Sequence, residues 1–259
     1  MKLALYQIDA FADSVFKGNP AAVCPLESWL TDESMQAIAA ENNLSETAFF
    51  VPTTDGYHIR WFTPTTEVAL CGHATLASAY VLFEILGYTN NAIEFKSKSG
   101  LLKVTRKDNL LTLDFPAQPF TTCTPPEILL SAFNAKPVEC LKAMDYIFVF
   151  ESEQDIISAK PNLAQLAEND LRGVIITAAS TKYDFVCRCF APNYGIDEDP
   201  VTGSAYTQLV PYWKDKLNKQ KLTAKQVSAR GGEIWLEQKQ NRVLISGKAV
   251  LYMQGEITI

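Results

Sequence analysis

Two copies of one pattern run through this chain, and they constrain its fold more than anything else in it. The first reads R-x-F-x-P from Arg60 to Pro64, and six residues later Cys71-Gly72-His73-Ala74. The second reads R-x-F-x-P from Arg188 to Pro192, and nine residues later Thr202-Gly203-Ser204-Ala205. A long apolar stretch follows each copy. Downstream, Ser99-Gly100-Leu101 opens a pair of strand-like runs flanking Lys107-Asp108-Asn109, and Arg230-Gly231-Gly232 opens another flanking Lys239-Gln240-Asn241. Both read as β-hairpins with polar turns. Matching order and spacing at this distance is the signature of duplication. The expected architecture is α+β, built from two like halves related by a pseudo-twofold axis.

The apolar run 74–87 carries almost no polar face and reads as a helix ending at Gly87, buried on all sides. A curved sheet or barrel wrapped around it is the simplest container. Residues 3–9, 46–52, 57–62, 145–150 and 173–178 read as strands. Residues 32–43 read as a helix capped by Thr31, with Met35, Ile38 and Ala39 inward. The helix after Gly203 contains Pro211, which should kink or break it. The proline-rich segment 117–126 reads as a linker. The expected domains are 1–116 and 127–249, with residues 250–259 returning to the first.

Each copy puts a glycine where its buried helix begins. Free N–H groups and the positive dipole end of a first turn form an anion site. Gly72 with His73, and Gly203 with Ser204, would hold a carboxylate in a cleft between the halves. His73 at a helix start should stay neutral and able to exchange a proton. Glu46 enters an apolar strand, so desolvation should raise its pKa and suit it to acid–base work. Asp197, Glu198 and Asp199 precede the second helix start, where an acid can simply complement the dipole. Cys71 and Thr202 are repeat partners. A cysteine at a helix N-terminus can be an activated thiolate, but one thiol does not make a two-thiol racemase.

Net charge is −6, which argues against nucleic acid. No apolar run reaches the ~18 residues of a membrane span, and the first residues lack the form of a signal peptide, so a cytoplasmic protein is expected. The chain has six cysteines, two histidines and neither C-x-x-C nor H-E-x-x-H, so free thiols and no metal are expected.

Four ordered motifs, N-x-x-L-S-E-T-A-F-F, L-C-G-H-A-T, E-D-P-V-T-G-S-A and S-x-R-G-G, together with the opening D-A-F-x-x-x-x-F-x-G-N-P-A-A-V, resemble the phenazine-biosynthesis PhzF-like family over nearly the whole chain. That resemblance implies the diaminopimelate-epimerase fold, two α+β domains each with a sheet around a central helix. It also implies a homodimer, no cofactor, and an isomerase that moves a proton on a small carboxylate-bearing substrate. By position, Glu46 would be the catalytic acid–base, and His73 and Asp199 would assist it with Ser204. Gly72 and Gly203 would bind substrate through their amides, with Cys71 and Thr202 beside them. Diaminopimelate epimerases carry a cysteine pair at the positions of Cys71 and Thr202. The threonine here argues against that chemistry. Tyr206 stands where many relatives place histidine. A cysteine-assisted racemase and a non-catalytic binding protein on the same fold are the alternatives.

Overall fold

The computed structural model describes residues 1–259. It divides into two compact units, Met1–Asp114 with Ser246–Ile259, and Phe115–Ile245. No helix is long and apolar enough to cross a membrane.

The first unit begins with strands β1 (Lys2–Ala10) and β2 (Asn19–Pro25), helix α1 (Asp32–Asn42) and strands β3 (Glu46–Thr53), β4 (Gly56–Phe62) and β5 (Glu67–Val68). Helix α2 (Gly72–Tyr80) runs into a π-turn, Val81–Ile85, before β6 (Ala92–Ser97), β7 (Gly100–Lys107) and β8 (Leu110–Pro116). The C-terminal strand Ala249–Thr258 returns to this unit and pairs antiparallel with β1, from Lys2 opposite Thr258 to Ala10 opposite Ala249.

Alternation explains the two-sided core. Ala22, Cys24, Phe49 and Val51 join Met35, Ile38 and Ala39 of α1 in one buried cluster. The intervening Ala21, Val23, Ala48 and Phe50 are buried on the opposite face of their strands. Helix α2 packs against β1, β2 and β3, and His73 through Ala79 are all buried. Thr31 caps α1 by accepting the Ser34 N–H at 3.2 Å. The β1–β2 loop turns tightly: Gly18 has φ +65°, and a Cβ there would lie 2.1 Å from the Ala10 carbonyl oxygen. The buried Asp9 carboxylate holds the loop by accepting the Phe16 N–H at 2.8 Å.

The second unit contains β9 (Thr121–Thr122), α3 (Glu127–Leu130), β10 (Glu139–Lys142), β11 (Tyr146–Val149), α4 (Glu153–Ile157), α5 (Leu163–Leu166), β12 (Val174–Ala179) and β13 (Phe185–Ala191). A 3₁₀ turn at Pro192–Tyr194 leads to β14 (Ile196–Asp199), α6 (Gly203–Leu217), β15 (Lys221–Gln226), β16 (Gly232–Lys239) and β17 (Arg242–Gly247). The returning strand Ala249–Thr258 is β18. Helices α3, α4 and α5 cover a cluster built on Phe148, Ile176, Val186 and Phe190. Helix α6 lies against β15 and β16, with Trp213 stacked on Phe185 at 5.5 Å between ring centroids.

The duplication is visible in the pairing order. In the first unit β2–β3 is parallel, β3–β4 antiparallel, β4–β6 parallel and β6–β7 antiparallel. In the second, β11–β12, β12–β13, β13–β15 and β15–β16 repeat that alternation. The hairpin turns match as well, with Asp108 and Gln240 both at φ 54°.

The run 74–87 is helical to Ile85, first as α2 and then as the π-turn, with Gly87 just past its end. Two local expectations are corrected. Segment 117–126 lies inside the second unit, because Thr121–Thr122 forms a short edge strand on β10 that its flanking prolines permit. Pro211 does not break α6. A proline leaves the carbonyl four residues back without its helical donor. That carbonyl belongs to Thr207, and it accepts the Gln118 N–H at 2.9 Å.

Candidate active site

The repeated arginines show how each unit braces the approach to its central helix. Arg60 makes a two-pronged bond to Glu67 at 2.8 and 2.9 Å, with its guanidinium 5.1 Å from the Phe62 ring. Arg188 does the same with Glu198 at 2.7 and 2.9 Å, 5.1 Å from Phe190. Glu67 and Glu198 each stand four residues before the helix N-cap. The arginine holds the Glu67 carboxyl at about 2, well below its usual range. Glu198 is thus a structural partner, and Asp197 is exposed.

Glu46, Cys71 and His73 come together in the first unit. Glu46 is the first residue of β3, Cys71 the N-cap of α2, and His73 its second residue. His73 Nε2 lies 3.1 Å from Glu46 Oε2, with the two side chains 7% and 13% exposed. The approach is off the hydrogen-bond direction, so Glu46 Oε2 is buried without an aligned donor. Cys71 Sγ sits 3.5 Å from His73 Nδ1.

Electrostatics here reverses two expectations. Burial pushes the Glu46 pKa up, but the His73 charge beside it, with help from Cys71, outweighs it, and the net shift is downward. Burial pushes His73 down, yet Cys71 and the Glu46 carboxylate together raise it well above 6.5. At neutral pH the pair is a carboxylate facing an imidazolium. Burial drives the Cys71 thiol up to about 11, so it stays protonated. The three donor atoms lie within 4.8 Å of one another. This is a set that a thiophilic divalent ion could occupy once Cys71 lost its proton.

In the second unit Asp199 ends β14 and accepts the Thr202 hydroxyl at 2.6 Å. Gln226 donates to the Asp199 main-chain oxygen at 2.6 Å and accepts the Thr202 N–H at 2.9 Å. Ser204 accepts a bond from Arg172 Nη1 at 2.7 Å. Sequence reasoning missed this Arg172 and its support. Arg172 Nε donates to the buried Asp145 at 2.9 Å, Nη2 bonds the other carboxylate oxygen, and Gln208 Nε2 donates to Asp145 at 2.6 Å. The legible signal was Asp145 at the head of an apolar strand, the same signal that exposed Glu46.

Caps separate the two central helices from α1, α4 and α5. Thr31, Ser152 and Asn162 each accept an N–H of the helix they start. Cys71 and Thr202 do not; their side chains turn to His73 and Asp199. The first turns at Gly72 and Gly203 therefore keep unclaimed N–H donors.

A duplicated sheet-around-helix architecture of this kind is the epimerase-like fold. The chain belongs to the phenazine biosynthesis-like PhzC-PhzF family, whose model matches residues 8–255. It is 51% identical over 257 residues to an uncharacterised isomerase of Pseudomonas aeruginosa, covering 99% of each chain. It superposes on a PhzF-family crystal structure from Enterococcus faecalis with TM-score 0.98 and 46% identity, covering 100% of both. A predicted epimerase from Pseudomonas aeruginosa shares the fold at TM-score 0.76 and 20% identity, covering 99% of both. The enzyme is an isomerase of this family.

Proposed function

We propose that the protein catalyses cofactor-independent proton transfer on a small carboxylate-bearing substrate, with Glu46 as the base. The observation that carries this reading is the buried Glu46 carboxylate, ionised beside His73 and with one oxygen lacking an aligned donor. An unsatisfied, ionised acceptor in a nearly dry site is placed to take a proton from carbon. His73, as imidazolium, then supplies a proton or stabilises the negative charge that develops on the substrate. The unclaimed first-turn donors at Gly72 and Gly203 suit a carboxylate. Asp199, oriented by Thr202, is assigned as the second proton-handling group, and Ser204, fixed by Arg172, as a polar contact to substrate. We also propose that the protein is a cytoplasmic homodimer with no nucleic-acid or membrane partner.

The cysteine-assisted racemase is the weaker reading. Cys71 is held as a neutral thiol near a pKa of 11, and Thr202, not a second cysteine, occupies the matching position. The non-catalytic reading is weaker too, since it gives no reason to bury an ionised pair with an unsatisfied oxygen.

The test follows small amino and hydroxy carboxylates by proton NMR in deuterium oxide. Exchange or isomerisation should appear with the wild type and fall by about 10²–10⁴ in Glu46→Gln. Exchange that persists in Glu46→Gln and vanishes in Cys71→Ala would replace this mechanism with the thiol one. Activity that survives exhaustive chelation supports the absence of a metal.

A further inference from the structure

The six cysteines divide by accessibility. Cys24, Cys71, Cys187 and Cys189 are buried, and Cys123 and Cys140 are partly exposed. The two accessible cysteines are neighbours. Thr122 pairs with Leu141 and Thr121 with Lys142 in the antiparallel β9–β10 ladder. One step further along that register sets Cys123 opposite Cys140. The Cys123 N–H donates to the Cys140 carbonyl at 3.0 Å, so the ladder continues through this pair. Both side chains pack against the same apolar cluster, so both lie on the same face of the sheet.

Residues opposite one another in a hydrogen-bonded antiparallel pair stand about 5.5 Å apart at Cα. A disulfide accepts Cα separations of roughly 4.4–6.8 Å. We propose that Cys123 and Cys140 form an oxidant-driven intramolecular disulfide, a modification site distinct from the acid–base pair.

With a peroxide as oxidant the chemistry balances. The Cys123 thiolate attacks one peroxide oxygen, the O–O bond breaks, and Cys123 becomes a sulfenic acid as water leaves. The Cys140 thiolate then attacks that sulfur, the S–O bond breaks, and a second water leaves with the remaining proton. Two thiols lose two electrons and the peroxide gains them. Cys123 is the first sulfur to react. Burial raises both thiols, Cys140 to about 11, but the Lys142 ammonium works against the rise only at Cys123.

The bridge would close a loop from Thr124 to Glu139 that contains α3. It would also fasten the strand whose Glu139 accepts the Tyr212 hydroxyl of α6 at 2.9 Å.

The experiment uses the full chain, without reductant, exposed to hydrogen peroxide and then to iodoacetamide. Digestion follows with a protease that cuts after glutamate. Cleavage at Glu127 and Glu139 puts the two cysteines on separate peptides, which trypsin would not do because Pro137 follows Lys136. The expected result is one linked peptide, Cys123 to Cys140, lighter by two hydrogens than its parts, with Cys24, Cys71, Cys187 and Cys189 unmodified. Oxidised protein should melt several degrees above reduced protein. Cys123→Ser and Cys140→Ser should each show neither the link nor the oxidation-dependent rise. Alkylated or singly oxidised Cys123 and Cys140 with no link between them would overturn the proposal. So would a link to any other cysteine, or one between two chains. None of these outcomes bears on the proton-transfer reading.

Discussion

At Glu46 and His73 two opposing effects of burial and charge decide the protonation state, and charge wins at both. The consequence for pH is specific. Glu46 is lowered from 4.5, so its stabilising charge is present above that value and is lost as pH falls through the folded pKa. His73 is raised above 6.5, so its contribution is present below that value and is lost as pH rises through the folded pKa. The profile of kcat/KM should be level through neutrality, with limbs outside the ordinary carboxylate and imidazole ranges. In His73→Asn burial of Glu46 is opposed only by the Cys71 thiol, so the acid limb should move to higher pH. An acid limb that stays put would mean that His73 does not hold the Glu46 charge. Cys71→Ala should retain most of the turnover, because a neutral thiol is not the base.

The sequence located Glu46 and His73 but misjudged their charges, for a physical reason. Burial can be read from apolar neighbours along the chain, whereas a partner 27 positions away becomes visible only when β3 and α2 are folded together. Arg172 was invisible for the same cause. Its role comes from Asp145 and Ser204, on separate elements. Replacing Asp145 by asparagine would leave the guanidinium half-paired beside the start of α6. Breaking such a pair costs about 3–5 kcal/mol when fully buried, and the low end applies because the Arg172 side chain is 31% exposed. Thermal or denaturant unfolding measures this directly.

Among the elements, the duplicated R-x-F-x-P strands were the most legible. Their pattern is local, and the same arginine, aromatic and glutamate recur in both halves. What the pattern lacked was Glu198's role, since three consecutive acids offer no local clue to which one turns toward Arg188. Glu198→Gln removes the charge from a two-pronged bond to an arginine that also donates to the Ile156 and Ala159 carbonyls. Its effect should be a loss of stability with proton-transfer chemistry preserved in the folded fraction. Comparing Tm with activity per folded molecule separates the two. Helix α1 followed its sequence signals closely because its cap and its inward face are both short-range features.

For the whole molecule, β18 is decisive. It pairs along the full length of β1, so removing residues 249–259 would leave the β1 ladder open and its Leu3 and Leu5 side less covered. An unprotected edge of that length invites association. The shortened chain should aggregate or lose its near-ultraviolet circular dichroism, while deletion at an exposed loop tip would not have this effect. The return of this strand was expected from the sequence, but its register was not. Register is set by the bulge between Gln7 and Ile8 and by the neighbouring strand β2.

The bond from Gln118 to Thr207 has a consequence for how the protein tolerates change. It is made by main-chain atoms at both ends, so the identity of the side chain at 118 is immaterial to it. In a saturation library scored for folded protein, position 118 should accept nearly every amino acid and reject proline. Its intolerance should ease when Pro211 is replaced by alanine, which restores the helical donor for Thr207. Two prolines, more than ninety positions apart, would then behave as mutually exclusive letters in the sequence, although neither touches the other.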